Sequence, residues 1–189
     1  MIASVRSTSS AEVAVYVDRD QESLYARPDC KLTVGDRIGP VHSLNALVKQ
    51  HPGYAVYAAA TDDCEFVTRD WDRWLLDRAR ERPVAALAPY VEGSPGALDF
   101  PALTAGWIKT IGHMAHPTIG HFYWDLAVQI VAEHCGCCLR AQESEFTVKH
   151  HGIAPEVDNM RCYFDAKAFA VWAFKYRLGE IRRVLESLR

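Results

Sequence analysis

The sequence predicts an α/β domain built on a twisted, largely parallel sheet flanked by helices. Three observations predict it. Short apolar runs alternate with amphipathic segments in the order strand, strand, helix, strand, helix, strand up to residue 89, and that alternation belongs to α/β folds. One run, Tyr54 to Ala60 (YAVYAAA), is apolar throughout, the pattern of a strand buried on both faces. The chain has 189 residues, 49% apolar and 24% charged, enough for one domain with a sizeable core and too apolar for disorder. Neither an internal repeat nor a linker divides residues 1–189, so a single domain is expected.

Glu12 to Val17 (EVAVYV) is a strand running into the polar Asp18-Arg19-Asp20. Lys31 to Val34 is a second strand, ended by a Gly- and Pro-bearing turn. From Val41 to Gln50, Val41, Leu44, Leu47 and Val48 share one face of an amphipathic helix that stops at His51-Pro52-Gly53. The strand Tyr54 to Ala60 runs directly into Thr61-Asp62-Asp63. Thr68 is placed to cap a helix whose Trp71, Trp74, Leu75 and Ala79 face a core. Pro83 to Pro89 is a further apolar strand, and Gly93 to Gly96 a loop. Ala105 to Ile111 and Phe122 to His134 read as helices around a His113 to Gly120 loop. Phe146 to Lys149 is a short strand entering His150-His151-Gly152. The tail from Asp165 to Leu188 is helical, with Phe169, Trp172 and Leu178 core-like and a division near Gly179.

A net charge of -3 removes the global electrostatic argument for nucleic acid. The first residues lack a continuous apolar signal core, and no run of 18 apolar residues occurs, so a soluble, cytoplasmic protein without a membrane span is expected. Six cysteines, three of them crowded at Cys135, Cys137 and Cys138, do not match the spacing of zinc-binding pairs and read as thiols. Dinucleotide, P-loop and nucleophile-elbow motifs do not occur.

The strongest functional feature is Asp62-Asp63. Two adjacent carboxylates follow an apolar strand, and α/β sheets bind ligands outside the carboxyl ends of their strands. Adjacent carboxylates repel, so a cation or strong donors belong nearby; magnesium or manganese would bridge them to phosphates. A solvated loop and helix cap would use the same residues. His121 and Asp125, four apart at a helix start, would share a face as an acid/base or acceptor-orienting pair, although an Asp at a helix N-terminus is also favourable for plain electrostatic reasons. Phe122, Tyr123 and Trp124 would line a sugar site or fill the core. His150 follows a strand and could complete a metal site begun by Asp63; His113 and His116, spaced by three, could form a metal clip or simply sit in a loop.

Three runs, AVYVDRDQESLY (Ala14 to Tyr25), TVGDRIGPVHSLNAL (Thr33 to Leu47) and YAVYAAATDDCEFVTRDWDRWLL (Tyr54 to Leu76), resemble the nucleotide-sugar-binding region of bacterial and phage glycosyltransferases, family 2-like, with the Rossmann-like GT-A fold. LTAGWIKTIG, IGHFYWDLAV and FTVKHHG extend the resemblance to about residue 165. The resemblance implies transfer of a sugar from a UDP- or GDP-sugar to a hydroxyl acceptor, with Mn²⁺ or Mg²⁺. It implies that Asp62 faces the ribose or diphosphate and that Asp63 and His150 hold the metal. Asp18, Asp20, Arg37 and Asn45 would lie by the nucleotide, and Asp125, accompanied by His121, would be the general base of an inverting reaction. Relatives carry a strand, a loop and a helix ahead of the equivalent of AEVAVYV. MIASVRSTSS looks like the end of that helix, so the domain reads as N-terminally shortened. Glu12 to Val17 is then an exposed edge open to pairing with a second copy as a homodimer. Cys64 stands where relatives often have His, and His150-His151-Gly152 where they carry His-x-His-Pro, both of which would weaken the metal site. A catalytically silent binding or structural module, and a metal-dependent hydrolase built from Asp62, Asp63 and His150, are the competing readings.

Overall fold

The computed structural model describes residues 1–25, 30–92, 98–151 and 159–189, with side chains of the last stretch from residue 163 onward. The Gly93 to Gly96 loop, Gly152 and the Cys162 side chain lie outside the described residues. The elements run α1 (Ile2–Thr8), β1 (Ala14–Asp18), a 3-10 helix (Arg19–Tyr25), β2 (Lys31–Gly35), α2 (Pro40–Gln50), β3 (Val56–Ala58), β4 (Cys64–Phe66) and α3 (Trp71–Glu81). They continue β5 (Ala86–Ala88), β6 (Tyr90–Val91), β7 (Ala102–Thr104), α4 (Ala105–Ile111), α5 (Trp124–His134), β8 (Cys138–Arg140), β9 (Thr147–His150), α6 (Asn159–Lys175) and α7 (Arg177–Ser187).

The α/β class is as predicted, but the sheet is mixed rather than mostly parallel. Among the described residues the strands form three sheets: β1-β2, β3-β7-β5-β8 and β4-β9-β6. The β1-β2, β5-β8 and β6-β9 pairs are parallel, and β3-β7, β5-β7 and β4-β9 are antiparallel. Pro89 separates β5 from β6; without an N–H it cannot extend the ladder, and the chain passes there from one sheet to another.

The run buried on both faces is Val84 to Pro89, within the expected Pro83 to Pro89 strand, and not Tyr54 to Ala60. Side chains alternate along a strand, so Ala86 and Ala88 enter one core while Ala85 and Leu87 enter the other, all four fully buried. The first core joins them to Leu103 of β7, Trp107 of α4, Val128 and Val131 of α5, Trp172 of α6 and Val184 of α7. The second joins them to Val5 of α1, Phe66, Trp71, Leu75 and Phe146. By contrast β3 keeps three residues in register, pairs among the described residues with β7 alone and exposes Ala58. It is an edge strand, because its other side meets a cleft and not a neighbour.

Local chemistry accounts for further departures. Asp70, in the left-handed region at φ 56°, stands before α3, while the Thr68 hydroxyl accepts the Thr147 amide at 2.9 Å and ties α3's entry to β9. The tail divides at Tyr176, not Gly179. Phe169 and Trp172 pack in the core as expected, whereas Leu178 is 70% exposed. No described helix is long and apolar enough to cross a membrane. Cys64, Cys135, Cys137 and Cys138 are thiols, and burial pushes Cys137 up to about 12.

Candidate functional site

The Thr61 carbonyl accepts the Cys64 amide at 3.2 Å, closing a turn with Asp62 and Asp63 at its corners. The chain then enters β4, whose antiparallel register sets Cys64 opposite His150 of β9. That register brings two residues 87 positions apart together: His150 Nε2 lies 2.9 Å from Asp63 Oδ2. The His151 amide donates to the Asp63 carbonyl at 2.9 Å, and His151 Nε2 stands 2.8 Å from Glu65 Oε2. Burial opposes the charge on Asp63, but hydrogen bonds from the Thr61 hydroxyl and His150 outweigh it and hold the carboxyl below its usual range. Both Asp63 and His150 are half-exposed. Phe100 meets the His150 ring edge-on, centroids 5.1 Å apart, from a left-handed backbone at φ 53°. Such strain in a non-glycine residue is found where surrounding structure holds a site.

Thr61 and Asp62 of this turn line a cleft of about 980 Å³. Ala14, Val15 and Tyr16 of β1 and Val56, Tyr57 and Ala58 of β3 line it, with Leu44, Leu47 and Val48 of α2; Asp62, Asp99, Trp124, Asp125 and His150 line it as well. The β1 edge expected to be exposed therefore faces this cleft. Asp125 is half-buried, and burial, reinforced by nearby Asp99, raises its pKa. The helix expected from Phe122 begins only at Trp124, because Tyr123 turns left-handed at φ 70° and the Phe122 amide is held by buried Asp165 Oδ2 at 3.0 Å. His121 thus precedes the helix, and the shared-face argument for His121 and Asp125 does not apply.

Asp18, Asp20 and Arg37 form one exposed cluster after β1 and β2, with Arg37 Nε 3.0 Å from Asp18 and Nη2 3.1 Å from Asp20. Asn45 is engaged within the protein. Its Oδ1 accepts the Met114 and Ala115 amides at 2.9 and 3.1 Å, and its Nδ2 donates to the Ala115 carbonyl at 2.7 Å. Sequence reasoning missed Asp99, Phe100, Thr61 and Asp165 as site or support residues. An acidic residue beside an aromatic at Asp99-Phe100 was the only signal, and a weak one. Among the described residues, the one group of three metal-ligating side chains close enough for a single ion is elsewhere: His113, His116 and Glu180.

Among solved structures, the fold is similar to that of a mannosyltransferase, PcManGT from Pyrobaculum calidifontis, determined in complex with GDP-Man and Mn²⁺. The TM-score is 0.59 at 13% identity, over 94% of this chain and 64% of that one. The chain has a Rossmann-like architecture. It spans about two-thirds of the neighbour's length at most, and at this identity the likeness is one of fold. No protein-family model and no curated protein matches the sequence.

Proposed function

We propose that the chain transfers a sugar from a UDP- or GDP-linked donor to a hydroxyl acceptor, with inversion and with a divalent cation, Mn²⁺ or Mg²⁺. The observation that carries this reading is that Asp62, Asp125 and His150, the last bonded to Asp63, all line one cleft of about 980 Å³. The fold it occurs in is that of an enzyme solved with GDP-Man and Mn²⁺. The Asp63 carboxylate suits manganese or magnesium, the His150 imidazole favours manganese of the two, and both being half-exposed leaves positions for phosphate oxygens and water. Asp63 and His150 would hold the ion, which supplies charge neutralisation for the departing diphosphate. Asp62 faces the diphosphate or ribose, and Asp18, Asp20 and Arg37 meet the nucleoside.

Asp125 takes the proton of the acceptor hydroxyl as that oxygen attacks the anomeric carbon. The bond from that carbon to the diphosphate breaks, and its electron pair leaves with the nucleoside diphosphate. The raised pKa makes Asp125 a better base than an ordinary carboxylate. His121 orients the acceptor, and Trp124 lines the sugar end of the cleft. A second copy would pair at the β1 edge, within reach of the same cleft.

Calorimetry with UDP, GDP and dTDP, with and without manganese, tests the reading. Metal-dependent binding that disappears in Asp63→Ala supports it; equal binding without metal refutes the role of the aspartate pair. The edges of β1 and β3 that have no strand partner among the described residues favour a second reading, a catalytically silent binding module. Metal-dependent nucleotide binding with no transfer or hydrolysis of any sugar donor selects that module.

A further inference from the structure

His113 and His116 leave α4's end in the loop that follows it, and Glu180 projects from the first turn of α7. His113 Nε2 stands 3.2 Å and His116 Nε2 3.8 Å from Glu180 Oε1, and all three ligand atoms lie within 4.8 Å of one another. Four ligands placed tetrahedrally at bond lengths of ~2.0–2.1 Å stand about 3.3 Å apart, so the two separations from Glu180 need little adjustment, and the one between the imidazoles, within 4.8 Å, closes by a rotation of the rings. The cluster is shielded: the side chains of His113, His116 and Glu180 are 18%, 11% and 5% exposed.

The hydrogen bonding is incomplete in a specific way. Glu180 Oε2 accepts the Trp172 indole N–H at 3.0 Å, yet among the described residues no hydrogen bond of sound geometry reaches Oε1, which is buried beside both imidazoles. Buried carboxylates are ordinarily hydrogen-bonded, paired or metal-bound. We propose that His113, His116 and Glu180 form a second metal site, separate from the aspartate pair, that takes a zinc-class divalent ion and staples α7 to the loop after α4.

Two imidazoles and one carboxylate are a donor set for zinc, cobalt or nickel rather than magnesium. The three protein ligands leave a fourth tetrahedral position for water. His113 would bind through Nε2, the nitrogen that faces Glu180; its Nδ1 is buried with no hydrogen-bond partner among the described residues. His116 Nδ1 accepts the Thr118 amide at 3.2 Å, which puts that ring's proton on Nε2. Metal binding through Nε2 moves the proton to Nδ1, where it would face the Thr118 N–H, so that hydrogen bond is lost and the loop turns the Thr118 amide away, a cost set against three coordinate bonds. The loop is already held on its other side, where Asn45 of α2 grips Met114 and Ala115. Met114 also lines the large cleft, so an ion at His113, His116 and Glu180 would stiffen one wall of it.

The test uses the whole chain stripped of metal with a chelator, then titrated with zinc alone by calorimetry and thermal melting. One tight equivalent that raises Tm is expected. His113→Ala and His116→Ala should each weaken that binding by at least about 100-fold, beyond what loss of a supporting residue costs, with Tm in chelator close to wild type. Asp63→Ala and His150→Ala should keep it. Because a histidine variant could fail to fold, cobalt is titrated into the wild type as well, where an intense visible band of tetrahedral, nitrogen-ligated cobalt is expected. Weak octahedral absorption only, absence of zinc binding by the folded chain, or zinc binding lost in Asp63→Ala and kept in His113→Ala would each overturn the proposal.

Discussion

Asn45 carries opposite expectations from family resemblance and from geometry, and its truncation decides between them. In Asn45→Ala, the Met114 and Ala115 amides and the Ala115 carbonyl lose their partners at 2.9, 3.1 and 2.7 Å. Met114 and Ala115 are buried, at 2% and 0% exposure. A fully orphaned buried group costs ~1–3 kcal/mol. Asn45 is itself only half-buried, so water enters the vacated space and the low end of that range applies to each of the groups, giving a loss of about 3 kcal/mol. For a chain of this size each kcal/mol lowers Tm by ~2–4 °C, so the melt should fall by roughly 6–12 °C. Asn45→Asp, which keeps the acceptor for both amides and loses only the donor to Ala115, should fall by less. Urea unfolding measures the stability, and nucleotide titration well below both transitions measures the site. The folded Ala variant should bind within about threefold of wild type, since a difference that small is well under 1 kcal/mol. A variant as stable as wild type that has lost nucleotide affinity tenfold or more would refute the bracing argument and restore Asn45 to the nucleotide site.

Asp125→Asn should lower turnover by about 100-fold or more with donor binding retained, since a general base typically contributes that much; equal losses in both would assign Asp125 a binding role. Because burial, then Asp99, raises its pKa, the acid limb of kcat/KM should lie above the usual carboxylate range, with activity falling as pH drops through it. The same shift means Asp125 contributes stability at low pH that is lost as pH rises through its folded pKa, so Asp125→Asn should be at least as stable as wild type at neutral pH; a marked destabilisation there would contradict the shift. Thr61→Ala removes a hydrogen bond that holds Asp63 ionised, so manganese affinity should fall by about 10–100-fold, as for other residues that orient a ligand, and most steeply in acid; a pH-independent affinity equal to wild type would remove Thr61 from the site. Phe146 is 1% exposed and stacks on Trp71 with centroids 5.0 Å apart, so Phe146→Ala should cost ~3–5 kcal/mol in chemical unfolding; a loss under ~1 kcal/mol would show that the aromatic cluster beneath β4 and β9 collapses around the gap.

What the sequence determined by itself was whatever is written in local periodicity and local chemistry. The face of α2, the core positions of α3, Trp172 in the tail and the acidic turn after an apolar run were all legible, because side-chain spacing of 3.6 or 2 reports which face is buried. The α/β class followed from the alternation of those patterns. Strand partners were not legible: β4, β6, β7 and β8 have two or three residues each, too short to show a period, and the direction of pairing depends on contacts far apart in the chain. Tyr54 to Ala60 shows the consequence. Apolar composition reports that a segment avoids water, but only the neighbours decide whether it lies in the middle of a sheet or on its edge, and here Pro83 to Pro89 holds the middle. The proximity of Asp63 to His150 was expected from strand ends, yet the 2.9 Å contact exists only because Cys64 falls opposite His150 in the ladder; a slip of one residue would turn the imidazole to the other face. The grip of Asn45 on the loop, the capture of the Phe122 amide by Asp165 and the gathering of His113, His116 and Glu180 were decided wholly by tertiary structure. Polar side chains carry no periodic signal, and which of them end up buried together depends on how the helices pack over the sheet.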